Sequence, residues 1–244
     1  MTYFEFVENV IDNFRVSKMI DIVKIEQDVE TNELLAVAYE ATKSLIIVAN
    51  YKEQPDIDMP QVQGLASLDI FKTYINLEKA KSGKSSVKFK ETDGIASETI
   101  FKIDTSSIKM KNVAPSLLPD TPKKLADFKP DFAVDLTEAD VSEILKYLGV
   151  SLFNPSVFLT KSSKGKLSFR LTDEVNVIDY DTAFEVEDGI LDEPFKLDLE
   201  RLLTILKVGS AGVNLAIAEA QNLVRIVKEN DIAEYQYFLI KKAL

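Results

Sequence analysis

The sequence predicts an α+β protein built of two similar domains, each with an antiparallel sheet on the outside and two short helices packed on one face of it. Three observations predict this class. Four short segments carry helical apolar spacing, and ten others alternate with the period of a strand. A proline-rich stretch with neither period separates the first series of elements from the second. With 244 residues, 46% hydrophobic and 28% charged, the chain can bury one large core or two medium ones, and two domains is the better expectation.

The first helix is predicted from Val7, Val10, Ile11 and Phe14, which recur at helical spacing. In the second, Leu68, Phe71 and Ile75 align behind Ser67, a residue type that caps helix starts. The third has Val141, Ile144, Leu145 and Leu148 in register behind the capping box "TEAD", begun by Thr137. In the fourth, Asp198 caps a run containing Leu199, Leu202, Leu203 and Leu206.

Between these helices lie the alternating runs "LLAVAYEA", "KSLIIVANY", "SSVKFKET", "SETIFKID", "SVFLTKSS", "KLSFRLTD", "TAFEVED", "VNLAIAEA", "LVRIVKEN" and "AEYQYFLIKK". The breaks "TDG", "SKGK" and "EAQN" supply the Gly and Asn that tight hairpins require. The stretch 113–130, "VAPSLLPDTPKKLADFKP", holds four of the eight prolines and reads as an interdomain connector. The predicted domains are therefore 1–112 and 131–244, with 113–130 between them. Residues 64–103 and 198–240 share one order of helix, bend, strand, turn and strand, which points to an internal duplication.

Composition removes several classes of function. Without histidine the commonest general base and zinc ligand are absent, and without cysteine so are thiolate chemistry and disulfides. No catalytic residues, metal site or cofactor are expected, and the chain is not expected to be an enzyme. No apolar run is long enough for a membrane span, and "MTYFEFVENVIDNF" has acids where a secretion signal has basic residues. A cytoplasmic protein is expected.

Net charge is −11, yet the basic residues are unevenly placed. Lys72, Asn76 and Lys79 form a line on the polar side of the second helix, with Lys81 and Lys84 beyond it. Arg201, Thr204 and Lys207 do the same on the fourth helix, while Lys146 on the third and Arg15 with Lys18 on the first add fewer charges. The stretch 174–200, by contrast, holds ten acids and one lysine. Cationic helix faces gathered on one side would attract phosphate without reading sequence, while acidic strands repel DNA elsewhere. A solvated polar helix face is the competing reading for each helix taken alone.

This layout resembles the DNA polymerase sliding clamps, both the two-domain clamps of T-even-type tailed phages and the cellular proliferating cell nuclear antigen. The stretch "FAVDLTEADVSEILKYLGVSLFNPSVFLTKSSKGKLSFRLTD", residues 132–173, looks like the start of the second domain of the phage clamps. "SLDIFKTYINL" and "FKLDLERLLTILKVGSAGVNLAIAEA" are similar to the second helices of clamp domains, and "AEYQYFLIKKAL" to the carboxy-terminal strand of the cellular clamps. The resemblance implies the DNA clamp fold and a head-to-tail ring, a homotrimer, around duplex DNA. It also implies a viral or cellular processivity factor that tethers a DNA polymerase after loading by a clamp-loader ATPase.

Carried onto this chain, the DNA-facing residues are Arg15, Lys18, Lys72, Lys79, Lys81, Lys146, Arg201 and Lys207. A groove for partner peptides is implied beside Val113, Leu117, Leu118, Tyr235, Phe238 and Ile240. Burial in the local core is the competing reading for Tyr235 and Phe238. "MTYFEF" is short for the strand with which family members often begin. Ring closure is expected to pair one open strand near 96–103 or 105–113 with another near 175–186.

Other chemistry is weaker. "SGKSS" at 82–86 resembles the end of a phosphate-binding loop, but Glu78 stands where that motif needs glycine, so the stretch reads as a hairpin tip. Asp56 with Asp58 and Asp179 with Asp181 are spaced to share a strand face and could hold magnesium, with no third ligand supplied. An acidic DNA mimic that binds a DNA-binding protein and a carboxylate-metal enzyme are the alternatives to a clamp.

Overall fold

The computed structural model describes residues 1–16, 20–28, 30–79, 85–120, 125, 127–150, 155–172, 177–209 and 212–243. The chain divides into two compact units. One comprises Met1–Ala41, Ile46–Thr121 and Asp231–Tyr235; the other comprises Thr42–Leu45, Pro122–Asn230 and Gln236–Leu244. This differs from a single cut at the connector, because Tyr235 packs its ring on Tyr51 and donates its hydroxyl to Asn9, both in the first unit.

The first unit runs α1 (Tyr3–Phe14), β1 (Ile22–Gln27), β2 (Leu34–Tyr39), β3 (Leu45–Tyr51), β4 (Val62–Ala66), α2 (Leu68–Lys79), β5 (Ser85–Thr92), β6 (Ile95–Ile103) and β7 (Ser106–Lys111). A single 3-10 turn follows at Pro115–Leu117. The second unit runs β8 (Phe132–Leu136), α3 (Glu138–Leu148), β9 (Ser156–Lys161), β10 (Lys166–Thr172), β11 (Val177–Glu185), β12 (Phe195–Asp198), α4 (Leu199–Lys207), β13 (Val213–Ala218), β14 (Leu223–Glu229) and β15 (Ala233–Ile240). Apart from the leading β8, both series read helix, four strands, helix, three strands. The duplicated order therefore extends beyond the stretches that show it in the sequence.

In the first unit the strand order is β5-β6-β4-β1-β2-β3, with β7 on β6. In the second, β15-β14-β13-β8 and β11-β10-β9-β12 are the two runs of paired strands. The predicted hairpin residues take the conformations expected of them: Gly94 (φ 75) and Gly165 (φ 74) lie in the left-handed region, where a side chain is strained.

Helix starts explain the main differences from the sequence reading. Thr2 and Glu5 form a reciprocal capping box, so α1 begins at Tyr3 and "MTYFEF" is helix rather than strand. Thr137 caps α3 with Asp140, and Asp198 caps α4 through the Arg201 N–H. Ser67, the expected cap of α2, instead has φ 56, and its carbonyl accepts from the Ile70 N–H at 2.8 Å. Among the strands, β1, β4, β7, β8 and β12 are absent from the alternating runs. β4 carries a buried Gln63 and a Gly64 that break the apolar alternation.

Each helix pair lies on a sheet face because its apolar stripe faces that way. In the first unit the Phe101 ring of β6 meets Phe4 of α1 at 5.6 Å and Phe71 of α2 at 5.7 Å. Burial of each such ring contributes about 1.5–3 kcal/mol. Beneath them Gln63 donates to the Tyr3 hydroxyl (2.6 Å) and to Thr99 (2.9 Å), and Thr99 donates to Asn112 (3.0 Å), while the Gln63 Oε1 accepts no hydrogen bond among the described residues. Burial pushes the Tyr3 phenol upward, so it stays neutral. In the second unit Ile144 of α3 and Leu202 and Ile205 of α4 are fully buried, as are Phe169 and Phe195 of the strands.

Candidate nucleic-acid interface

In the first unit the two helices are tied by ion pairs on their solvent side. Arg15, just past the end of α1, meets Asp69 of α2 at 2.6 Å, and Lys72 of α2 meets Asp12 of α1 at 2.6 Å. All four side chains are at least 40% exposed, so each pair stabilises the fold by about 0–1 kcal/mol at most. Two of the expected phosphate contacts are thus already paired with carboxylates. Lys79 ends α2. Its side chain, together with Lys18 and Lys81, lies outside the described residues, as does most of the "SGKSS" tip.

In the second unit Asp198 gathers three partners. It accepts from the Arg201 N–H at 3.0 Å, from the Arg201 guanidinium at 2.7 Å and from Lys242 at 2.7 Å. Although burial opposes ionisation, Lys242 and the Arg201 N–H hold this carboxyl below the usual aspartate range. Arg201 is therefore folded back onto its own cap. Lys146 and Lys207 behave differently: both are exposed, and both line an open groove of about 420 Å³ between α3 and α4, with Val141, Leu145 and Leu206 forming its apolar floor. Neither has an ion pair among the described residues. Lys207 sits in the last turn of α4, where the helix dipole favours a cation.

Of the residues expected to line a groove beside the connector, Leu117 alone borders a cleft there. A cleft of about 200 Å³ in the first unit is lined by Asp21, Ile22, Tyr39, Ala41, Leu117 and Pro119. Leu117 is 68% exposed there. Val113 donates its N–H to the Gly64 carbonyl at 2.9 Å, and Leu118 is buried against Gly64. These two fasten the connector to β4 rather than face a partner. Tyr235 and Phe238 are corrected to core residues, because Tyr235 is enclosed by Tyr51 and Asn9, and Phe238 packs edge-on against Phe128 at 5.8 Å. Ile240 is 37% exposed at the end of β15. The missed lining residues sit at the ends of β1 and β2; the alternation of "IVKIEQ" was the signal for β1.

The acid pairs lose their metal-binding geometry. Asp56 and Asp58 lie outside any strand. Asp179 and Asp181 do share a face of β11, but the Arg170 guanidinium grips Asp179 with two bonds of 2.6 and 3.0 Å. No group of three or more acids, histidines or cysteines that could hold a metal occurs among the described residues.

Two units with the repeated order of helix, four strands, helix and three strands, each with its helix pair on a sheet face, define the two-domain DNA clamp fold. Among solved structures, the chain is similar to the clamp in the complex of the C-terminal region of FEN-1 bound to A. fulgidus PCNA, with TM-score 0.67 and 13% identity over 100% of this chain and 97% of that one. It is similar also to the PCNA2-PCNA3 complex from Sulfolobus tokodaii, with TM-score 0.65 and 12% identity over 98% of this chain and 97% of that one. The fold is thus that of the PCNA-type sliding clamps. The sequence itself matches no family model and no curated protein.

Proposed function

We propose that the chain is a sliding-clamp subunit: copies join head to tail as a homotrimeric ring, encircle duplex DNA and tether a DNA polymerase to it. The observation that carries this reading is the clamp fold spanning the full length of both chains, with a polar, cation-bearing helix pair in each unit. Arg15, Lys18, Lys72, Lys79, Lys81, Lys146, Arg201 and Lys207 form the DNA-facing set, with Lys146 and Lys207 foremost because no carboxylate among the described residues pairs with them. Contacts of this kind bind phosphate without reading bases and exchange one phosphate for the next as the ring slides. The role is that of a scaffold, with a clamp-loader ATPase opening the ring.

The cleft under Leu117 receives an apolar-aromatic peptide from the polymerase or another partner. The neighbouring A. fulgidus PCNA, which is bound to the C-terminal region of FEN-1, supports a peptide site on this fold. Two experiments test the whole reading: light scattering coupled to gel filtration, and polymerase processivity on a primed circular template. A closed oligomer that lengthens the products is expected. A chain that stays single at all concentrations, or that captures a DNA-binding protein without encircling DNA, overturns it.

A further inference from the structure

We infer that Lys242, in the segment after β15, is a positioning residue for duplex DNA: by sharing the Asp198 carboxylate it loosens the hold of that group on the Arg201 guanidinium, which then meets phosphate. Docking of segment 241–243 and binding of duplex therefore favour each other. This rests on the DNA-facing reading above and names a control of that same face. All the groups concerned belong to the second unit.

Segment 241–243 leaves β15 and lies along β12, which among the described strands pairs only with β9. The Lys241 N–H donates to the Asn222 carbonyl and the Lys242 N–H to the Lys196 carbonyl, each at 2.9 Å. Lys196 in turn donates from its ammonium to the Ala243 carbonyl at 3.1 Å, and the Lys241 ammonium stands over the Phe195 ring at 5.1 Å. These contacts deliver the Lys242 ammonium to the start of α4, where it reaches Asp198 at 2.7 Å and the Pro155 carbonyl at 3.4 Å. The same carbonyl accepts at 3.3 Å from the N–H of Leu199, the first residue of the helix.

The carboxylate is divided between its partners. Its Oδ1 accepts from the Arg201 N–H at 3.0 Å, which is the helix cap itself. Its Oδ2 accepts from both the Arg201 guanidinium and the Lys242 ammonium, each at 2.7 Å. Two cations thus share one anion, so the three side chains carry a net positive charge, and neither cation holds the oxygen alone. Without Lys242 the Asp198–Arg201 pair is neutral, and a phosphate would have to break a whole ion pair in order to form another. The Asp198 and Arg201 side chains are each 19% exposed, so solvent screens this exchange less than it screens the Arg15–Asp69 pair. By linkage, whatever lifts 241–243 from β12 weakens the hold on duplex, and bound duplex keeps the segment down.

Titration of a labelled duplex with the purified chain tests this, at about 0.15 M salt, where a Debye length of about 8 Å suppresses distant charges. Four variants are compared with the native chain: Lys242→Ala, Arg201→Ala, the two combined, and Lys242→Ala with Asp198→Asn. Asparagine still caps the helix but holds no cation. Lys242→Ala is expected to weaken binding about threefold, to have no further effect once Arg201 is replaced, and to be rescued by Asp198→Asn. Thermal unfolding followed by circular dichroism verifies that each variant folds. A lysine that served only the fold would lower the melting temperature and find no rescue in Asp198→Asn. If Lys242→Ala leaves affinity unchanged, or costs the same with and without Arg201, the positioning role fails while the clamp reading stands. A native chain that binds no duplex at any salt defeats both.

Discussion

Lys228 of β14 is buried and donates its ammonium protons to the carbonyls of Leu206, at 2.9 Å, and Val208, closing the C-terminal end of α4. A lysine here satisfies carbonyls that the helix leaves open and complements the negative end of its dipole.

Burial pushes the Lys228 pKa down to about 8, against about 10.4 for an exposed lysine. Between about pH 8 and about pH 10.4 the unfolded chain therefore holds more protons on this residue than the folded one, so its contribution to stability rises with pH through that window and is flat below it. Urea unfolding of the native chain and of Lys228→Met at neutral pH and near the upper end of the window tests this. The native chain should gain on the variant as pH rises; an unchanged difference between the two would contradict the burial argument.

Reversal of free cations should affect DNA more than reversal of paired ones. Lys146→Glu with Lys207→Glu is expected to weaken duplex binding more than Lys72→Glu, because Asp12 already holds Lys72. Each lost phosphate contact should flatten the dependence of log affinity on log salt by about 0.9. Titrating labelled duplex across a salt series reads both quantities, and an equal loss for the two sets would argue against the ranking.

The connector cleft predicts a separation of binding from stability. Leu117→Asp should cost a partner peptide about tenfold or more in affinity while leaving the melting temperature within a degree or two, since Leu117 is mostly exposed. Tyr235→Phe should do the reverse, losing about 1 kcal/mol with the bond to Asn9 and leaving peptide affinity unchanged. Fluorescence polarisation and thermal unfolding of both variants distinguish the two roles.

Gly64 is the point where the connector meets β4. A Cβ there would lie 2.9 Å from the Val113 Cβ and closer still to Leu118. Gly64→Ala is therefore expected to destabilise the chain by about 1–3 kcal/mol, through overpacking rather than backbone strain. A denaturation midpoint equal to that of the native chain would show that the connector yields at no cost.

Much of the fold was legible because it is written in local periods. The apolar spacing of Val141, Ile144 and Leu148 and the Thr137–Asp140 box define α3 without reference to anything distant. The Thr2–Glu5 box was equally available, yet the apolar spacing that marked the first helix was read only from Val7 to Phe14. The candidate site was legible only as residue types. That Lys72 sits on a helix and Arg15 at the end of one followed from spacing, but their partners Asp12 and Asp69 are more than fifty residues away in each case.

The sequence by itself determined the helices, the hairpins and the repeated order, because hydrophobic period, caps and turn residues act over a few positions. Only the tertiary structure decided which cations remain free, which side chains of the connector are buried and which strands are left at an edge. Those outcomes depend on what a distant segment places beside a residue. Burial of Tyr235 against Asn9 and capture of Arg201 by its own cap are decided by packing, which no local pattern encodes.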